Sequence, residues 1–180
     1  MLTLLRKKKL TEDKVANIFV NGMLDLVEDG WPLIAELINE DPEFEHSPQL
    51  SSEASDQFLL IVVAGNINYI PNYFTDYQDV RLIDRIMAKM AYALGLEKEV
   101  LQEAVMKMRK FIAQVNHPSK NTRYGMSKAI FHRYQLNEFQ QEYFRNMKAP
   151  NPIFLKKLDD VIANFIWNWE GLLDKYRVVG

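Results

Sequence analysis

No cysteine occurs anywhere in the chain. Disulfides, thiolate nucleophiles, cysteine-based zinc sites and thioredoxin-like chemistry are therefore excluded together, and the composition is compatible with a reducing compartment. Long apolar runs are missing as well. The most apolar stretch, residues 58–65 (FLLIVVAG), is far too short to span a bilayer. The N-terminal MLTLLRKKKL has only five residues before its basic run, the reverse of the order a secretory signal needs. Neither sign of charge dominates. Against 22 Lys and Arg stand 24 Asp and Glu, and the net charge of −2 gives no whole-molecule attraction to nucleic acid or anionic lipid. These absences lead to the expectation of a cytoplasmic protein with no membrane association, and they argue against a nucleic-acid partner.

What is present suits a globular domain. With 180 residues, 48% apolar and 12% aromatic, the chain fits one domain over 1–180, able to bury about 70% of its unfolded surface without staples. The seven prolines punctuate periodic segments, and each is expected at a segment edge, because an interior proline costs a helix about 3 kcal/mol. The expected fold is all-α: an irregular single-domain bundle of seven to eight helices, mostly antiparallel neighbours. Residues 1–10 are expected as a basic tail and 41–52, polar and proline-rich, as a mobile loop.

The first helix is expected over 11–28, with Val15, Phe19, Val20, Met23, Leu26 and Val27 inward. Gly30 is expected to break it, and a short second helix carries Leu33, Ile34, Leu37 and Ile38. Residues 53–70 read as a helix buried on all sides, since no second strand candidate exists for FLLIVVAG to pair with. Two further helices follow, over 76–94 (inward Leu82, Ile83, Ile86, Met87, Met90, Leu94) and 97–116 (inward Leu101, Val105, Met108, Phe111, Ile112, Val115). Within 124–148 the apolar phase jumps. Met126, Ile130, Phe131 and Tyr134 share one face, and Leu136, Phe139, Tyr143 and Met147 another, so a break is predicted near 135–137.

The segment 151–176 has the strongest pattern. Asn151 caps, Pro152 suits the first turn, and Phe154, Leu158, Val161, Ile162, Phe165, Trp169, Leu172, Leu173 and Tyr176 recur at helical spacing. Trp167 falls off this stripe, on the opposite face with Lys156, Asp160, Asn164 and Gly171. Tryptophan is enriched at interface hot spots, and Gly171 would admit a close backbone, so Trp167, Gly171, Asp160 and Asn164 form an interface candidate.

Other constellations carry less chemistry. Glu43 and His46 have the Glu-x-x-His spacing of di-iron bundles, but they lie between prolines and without a second copy, so no metal is expected. His117 reads as a helix-end residue and His132 as surface. Residues 125–134 (GMSKAIFHRY) superficially resemble the recognition helix of TetR-type repressors. That family places the motif near the N-terminus behind an alanine-rich helix, whereas NHPSKNTR precedes it here, so the resemblance is not adopted. It does mark a basic cluster at 120–133 in which Arg123, Tyr124, Lys128, His132 and Arg133 form an anion candidate. Arg81, Arg85 and Lys89 align on one outer face, where acids of a neighbouring helix could meet them. The Asn66–Tyr77 junction is dense in groups that stack and hydrogen-bond, and Asn68, Tyr69, Asn72, Tyr73 and Tyr77 form a pocket candidate.

No catalytic, metal or phosphate motif is assembled. The sequence thus points to a non-enzymatic protein–protein interaction or homo-oligomeric module, without a cofactor, using the outer face of the C-terminal helix. The competing expectation is a small-molecule or nucleotide-binding bundle that uses the junction or the basic cluster.

Overall fold

The computed structural model describes residues 7–180, so most of the expected N-terminal tail, residues 1–6, lies outside the described residues. The described chain is all-α apart from one two-stranded sheet. Strand β1 (Lys8–Thr11) leads into α1 (Glu12–Asn39), and α2 (Asp56–Tyr69), α3 (Gln78–Leu94) and α4 (Lys98–Asn116) follow. Next come α5 (Thr122–Arg133), α6 (Glu142–Met147), α7 (Pro152–Ile162), α8 (Trp169–Lys175) and β2 (Tyr176–Val179). Short 3-10 turns occupy Ile70–Asn72, Leu136–Phe139 and Ala163–Phe165. One hydrophobic cluster draws side chains from α1 through α5, α7 and α8.

Helix α1 corrects the expected break at Gly30 and the expected second helix. It runs through both Gly30 and Pro32. Pro32 forfeits a backbone hydrogen bond, a cost of about 3 kcal/mol. The offset lies on both sides of it: Trp31, Ile34, Ala35 and Ile38 are all buried, and each large side chain gains about 1.5–3 kcal/mol by burial. Gly30 is used for its missing side chain. A Cβ there would stand 2.5 Å from the Phe165 ring, so the glycine seats that ring instead of ending the helix. Thr11 caps α1, its Oγ1 accepting from Lys14 N at 3.3 Å.

Helix α2 has no polar face because α1, α4 and α5 surround it, and residues Ile61 to Ile67 are all buried. Helix α3 packs against α1 and brings its basic row to two acids. Arg81 meets Glu12 at 2.8 Å, Arg85 meets Glu12 at 3.5 Å, and Lys89 meets Asp13 at 2.9 Å. Glu12 is fully buried. The Arg81 hydrogen bond holds its carboxyl below the ordinary range, and this outweighs the opposing effect of burial.

A pH dependence follows. Because the folded-state pKa is depressed, the ion pair's contribution is present above the unfolded value, about 4.3, and is lost as pH falls through the folded one. Glu12→Gln is expected to cost about 2 kcal/mol at pH 7, the loss of charge-assisted bonds to half-exposed arginines. In urea titrations at pH 7 and pH 3 the gap between variant and wild type should close at the lower pH. An equal gap at both would show that Glu12 acts through packing alone.

Helix α3 ends at Gly95, with Leu96 N bonded to Ala91 O at 2.9 Å and Gly95 N to Tyr92 O at 3.2 Å, a Schellman closure. Leu94, expected inward, is exposed at this corner. The break predicted at 135–137 is present: Gln135 adopts a left-handed φ of 55° between α5 and the following 3-10 turn. Of the second face there, Leu136 is buried, whereas Tyr143 and Met147 face outward.

The segment expected to be a mobile loop is fastened along its length. Asn39 and Leu50 exchange two hydrogen bonds (2.9 and 2.7 Å), and Trp31 Nε1 donates to Ser51 O at 3.0 Å. Glu45 N donates to Phe139 O at 2.8 Å, and the buried Asp41 accepts from Lys157 at 3.1 Å.

The largest correction concerns the C-terminal helix, which is not continuous. It ends at Ile162, turns through a 3-10 segment, becomes extended at Ile166, and restarts as α8. The cause is Asn66, a buried residue of α2. Its Nδ2 donates to Phe165 O and its Oδ1 accepts from Trp167 N, both at 2.8 Å. These bonds satisfy the backbone groups that a continuing helix would have paired internally. Asn168 then caps α8 by accepting from Gly171 N at 2.9 Å. Beyond α8 the chain pairs β2 in parallel with β1, from Lys8↔Tyr176 to Thr11↔Val179. Part of the expected tail is thus a strand, and Tyr176, expected on the helical stripe, opens the other.

Candidate functional site

The C-terminal break relocates the interface candidate. Trp167 is half-buried against its own chain. It meets Phe19 edge-on with centroids 5.6 Å apart, and Trp169 at 6.2 Å. The backbone that approaches it belongs to Gly22 of α1, where a Cβ would lie 2.6 Å from Trp167 Cζ3. Gly171 instead crowds its own cap, Asn168. Asp160 accepts from Lys156 at 3.1 Å, and Asn164 donates to Val161 O at 3.1 Å, both at the surface. Gly171 thus stands on α8 beyond the break, with Asp160 and Asn164 before it.

The pocket candidate also disperses. Asn68 accepts from Arg109 Nε at 2.7 Å, toward α4. Tyr73 packs on the core, Asn72 is exposed, and Tyr77 stands out in solvent with a φ of 62°. Tyr69 points elsewhere, into a cleft of about 330 Å³ that it lines with Asn121, Arg123, Ala163 and Ile166. Burial raises the pKa of its phenol, partly countered by Arg123.

Arg123 ties this cleft to a larger one. Asn121 caps α5 by accepting from Tyr124 N at 3.1 Å, which fixes the first turn. Arg123 Nη2 then reaches Asp159 of α7 at 2.9 Å, and the buried Ser127 donates to the same carboxylate at 3.3 Å. Asp159 lines the second cleft, about 420 Å³, which lies between α5 and α7. Its other walls are Tyr124 and Lys128 of α5, the Ala149–Pro150 connection, and Pro152, Leu155 and Lys156 of α7. The Lys128 ammonium sits 4.5 Å from the Tyr124 ring centroid, a cation–π contact.

Three members of the anion candidate thus converge: Arg123, Tyr124 and Lys128. The other two do not. Arg133 lies over the Phe111 ring at 4.1 Å, and His132 packs edge-on against Phe131 at 5.2 Å. Partial burial and the Lys128 charge lower the His132 pKa. Lys156 and Asp159 were missed as site residues because a continuous C-terminal helix assigns Lys156 to the face of Trp167.

No family model, curated protein or solved structure matches the chain. Among the described residues no cluster of three His, Asp or Glu could hold a metal ion, and no helix is long and apolar enough to cross a membrane. Glu43 accepts from Asn151 at 2.7 Å, and Glu45 lies 3.6 Å from Arg145.

A second surface has a different character. At the α3–α4 corner Tyr92 is 89% exposed and Val100 57%, with Leu96 and Leu94 also exposed between them. Four large apolar side chains are thus exposed within nine residues of chain, outside the core.

Proposed function

We propose that the protein is a non-enzymatic interaction module, acting in the cytoplasm, that self-associates through the α3–α4 corner. The exposed Tyr92–Leu94–Leu96–Val100 surface carries this reading. A two-fold contact would place the same patch on both copies, each covering the other's apolar side chains. Trp167, packed within its own subunit, no longer supports the oligomer, and Trp167→Ala is expected to lower stability without altering association.

Sedimentation velocity over a concentration series tests the proposal. Wild type should show a concentration-dependent dimer that Tyr92→Lys combined with Val100→Lys abolishes. Those exposed sites touch no core, so the variant's stability should stay within about 0.5 kcal/mol of wild type. A wild type that remains monomeric throughout removes self-association.

A further inference from the structure

We propose that the α5–α7 cleft is a binding site for a small organic anion. Its anionic group would be held by Lys128 and Lys156, and a flat apolar body would lie against Tyr124, Pro150 and Leu155. The site is distinct from the α3–α4 corner and does not depend on it.

The charge arrangement supports an anionic ligand. Among the described residues Lys128 has no carboxylate partner; its ammonium rests on the Tyr124 ring. Lys156 has only the exposed Asp160, one turn along the same helix, a contact that competes weakly with an incoming anion. Asp159 is the one carboxylate in the wall, and Arg123 at 2.9 Å neutralises it. Helices α5 and α7 are also the two of the eight that lack an acidic residue in the first turn. The first turn of α7 borders the cleft through Pro152, although its cap, Asn151, also meets the Glu43 carboxylate at 2.7 Å, which offsets part of the helix-end charge. In a chain of net charge −2, Lys128 and Lys156 form a local cationic pair in the wall of this cleft.

Shape and apolar lining define the rest of the ligand. A cleft of about 420 Å³ falls within the range that takes small molecules. Leu155 is buried and, with the two prolines, offers a rigid apolar wall, while the Tyr124 face can stack on a ring. Lysines hold an anion as point charges without the fork geometry of arginine, so a phosphate and a carboxylate share the chemistry.

Calorimetric titration of the full chain at low salt, with four probes, separates these sources. Adenosine monophosphate joins a ring to a phosphate and 4-hydroxybenzoate a ring to a carboxylate; inorganic phosphate and adenosine supply the two parts of the first alone. At least one ring-bearing anion should bind more tightly than phosphate or adenosine, and the one that does identifies the anionic group. Lys128→Gln and Lys156→Gln should each weaken that binding about tenfold, the loss of one charge-assisted contact. Lys156 is 77% exposed, so its variant keeps the fold. Tyr92→Lys should leave the affinity unchanged. Binding of neither ring-bearing anion, adenosine or phosphate matching the joined molecule, or affinity indifferent to both lysines would overturn the proposal.

Discussion

Trp169→Ala is expected to cost about 4 kcal/mol, the scale of a large aromatic deleted from a core. Trp169 is fully buried. It stacks on Phe19 of α1 (centroids 5.5 Å, planes 10° apart) and meets Phe74 edge-on at 5.2 Å. With Trp167 these rings join α8 to the first helix, so the cavity would open between elements far apart in sequence. Urea denaturation with the slope held fixed measures the loss. Trp169→Phe should cost far less, because the indole Nε1 is buried without a hydrogen-bond partner and its removal discards an unsatisfied donor. A loss below about 1.5 kcal/mol for the alanine variant would mean that the stack collapses to fill the space.

Asn66→Leu is expected to cost about 3 kcal/mol despite nearly conserving volume. Leucine cannot donate to Phe165 O or accept from Trp167 N, the two bonds that hold the chain open between α7 and α8. A buried polar group left without its partner costs about 1–3 kcal/mol, and here two lose theirs. Tryptophan emission should move red as water reaches Trp167. If instead the variant were as stable as wild type, the break would have its origin in the local sequence and not in the asparagine.

These two residues explain what was and was not legible. Periodicity located α3 and α4, the phase jump located the turn at Gln135, and the lack of a polar face marked α2 as central. All three signals are local. The break after Ile162 was invisible because its cause, Asn66, comes from another helix, and the local spacing of 151–176 favours continuity. Gly30 and Pro32 misled for the complementary reason: the Phe165 ring and the burial around Trp31 are tertiary contacts that override helix propensity. The strands were missed because four residues, KKLT or YRVV, carry too little alternation to register. Of the candidate site, Arg123, Tyr124 and Lys128 were readable as a run on one helix. Lys156 and Asp159 became partners only once α7 was placed beside α5.

The parallel pairing of β1 with β2 has a mechanical consequence. The strands run in the same direction, and the chain enters at the start of one and leaves at the end of the other. Tension along the polypeptide would therefore pull them past each other lengthwise, loading all the hydrogen bonds of the ladder together. An antiparallel pair tethered from one end would open like a zipper, one bond at a time. Here Lys8–Thr11 and Tyr176–Val179 act as a shear clasp, which shields the helices behind it until it yields.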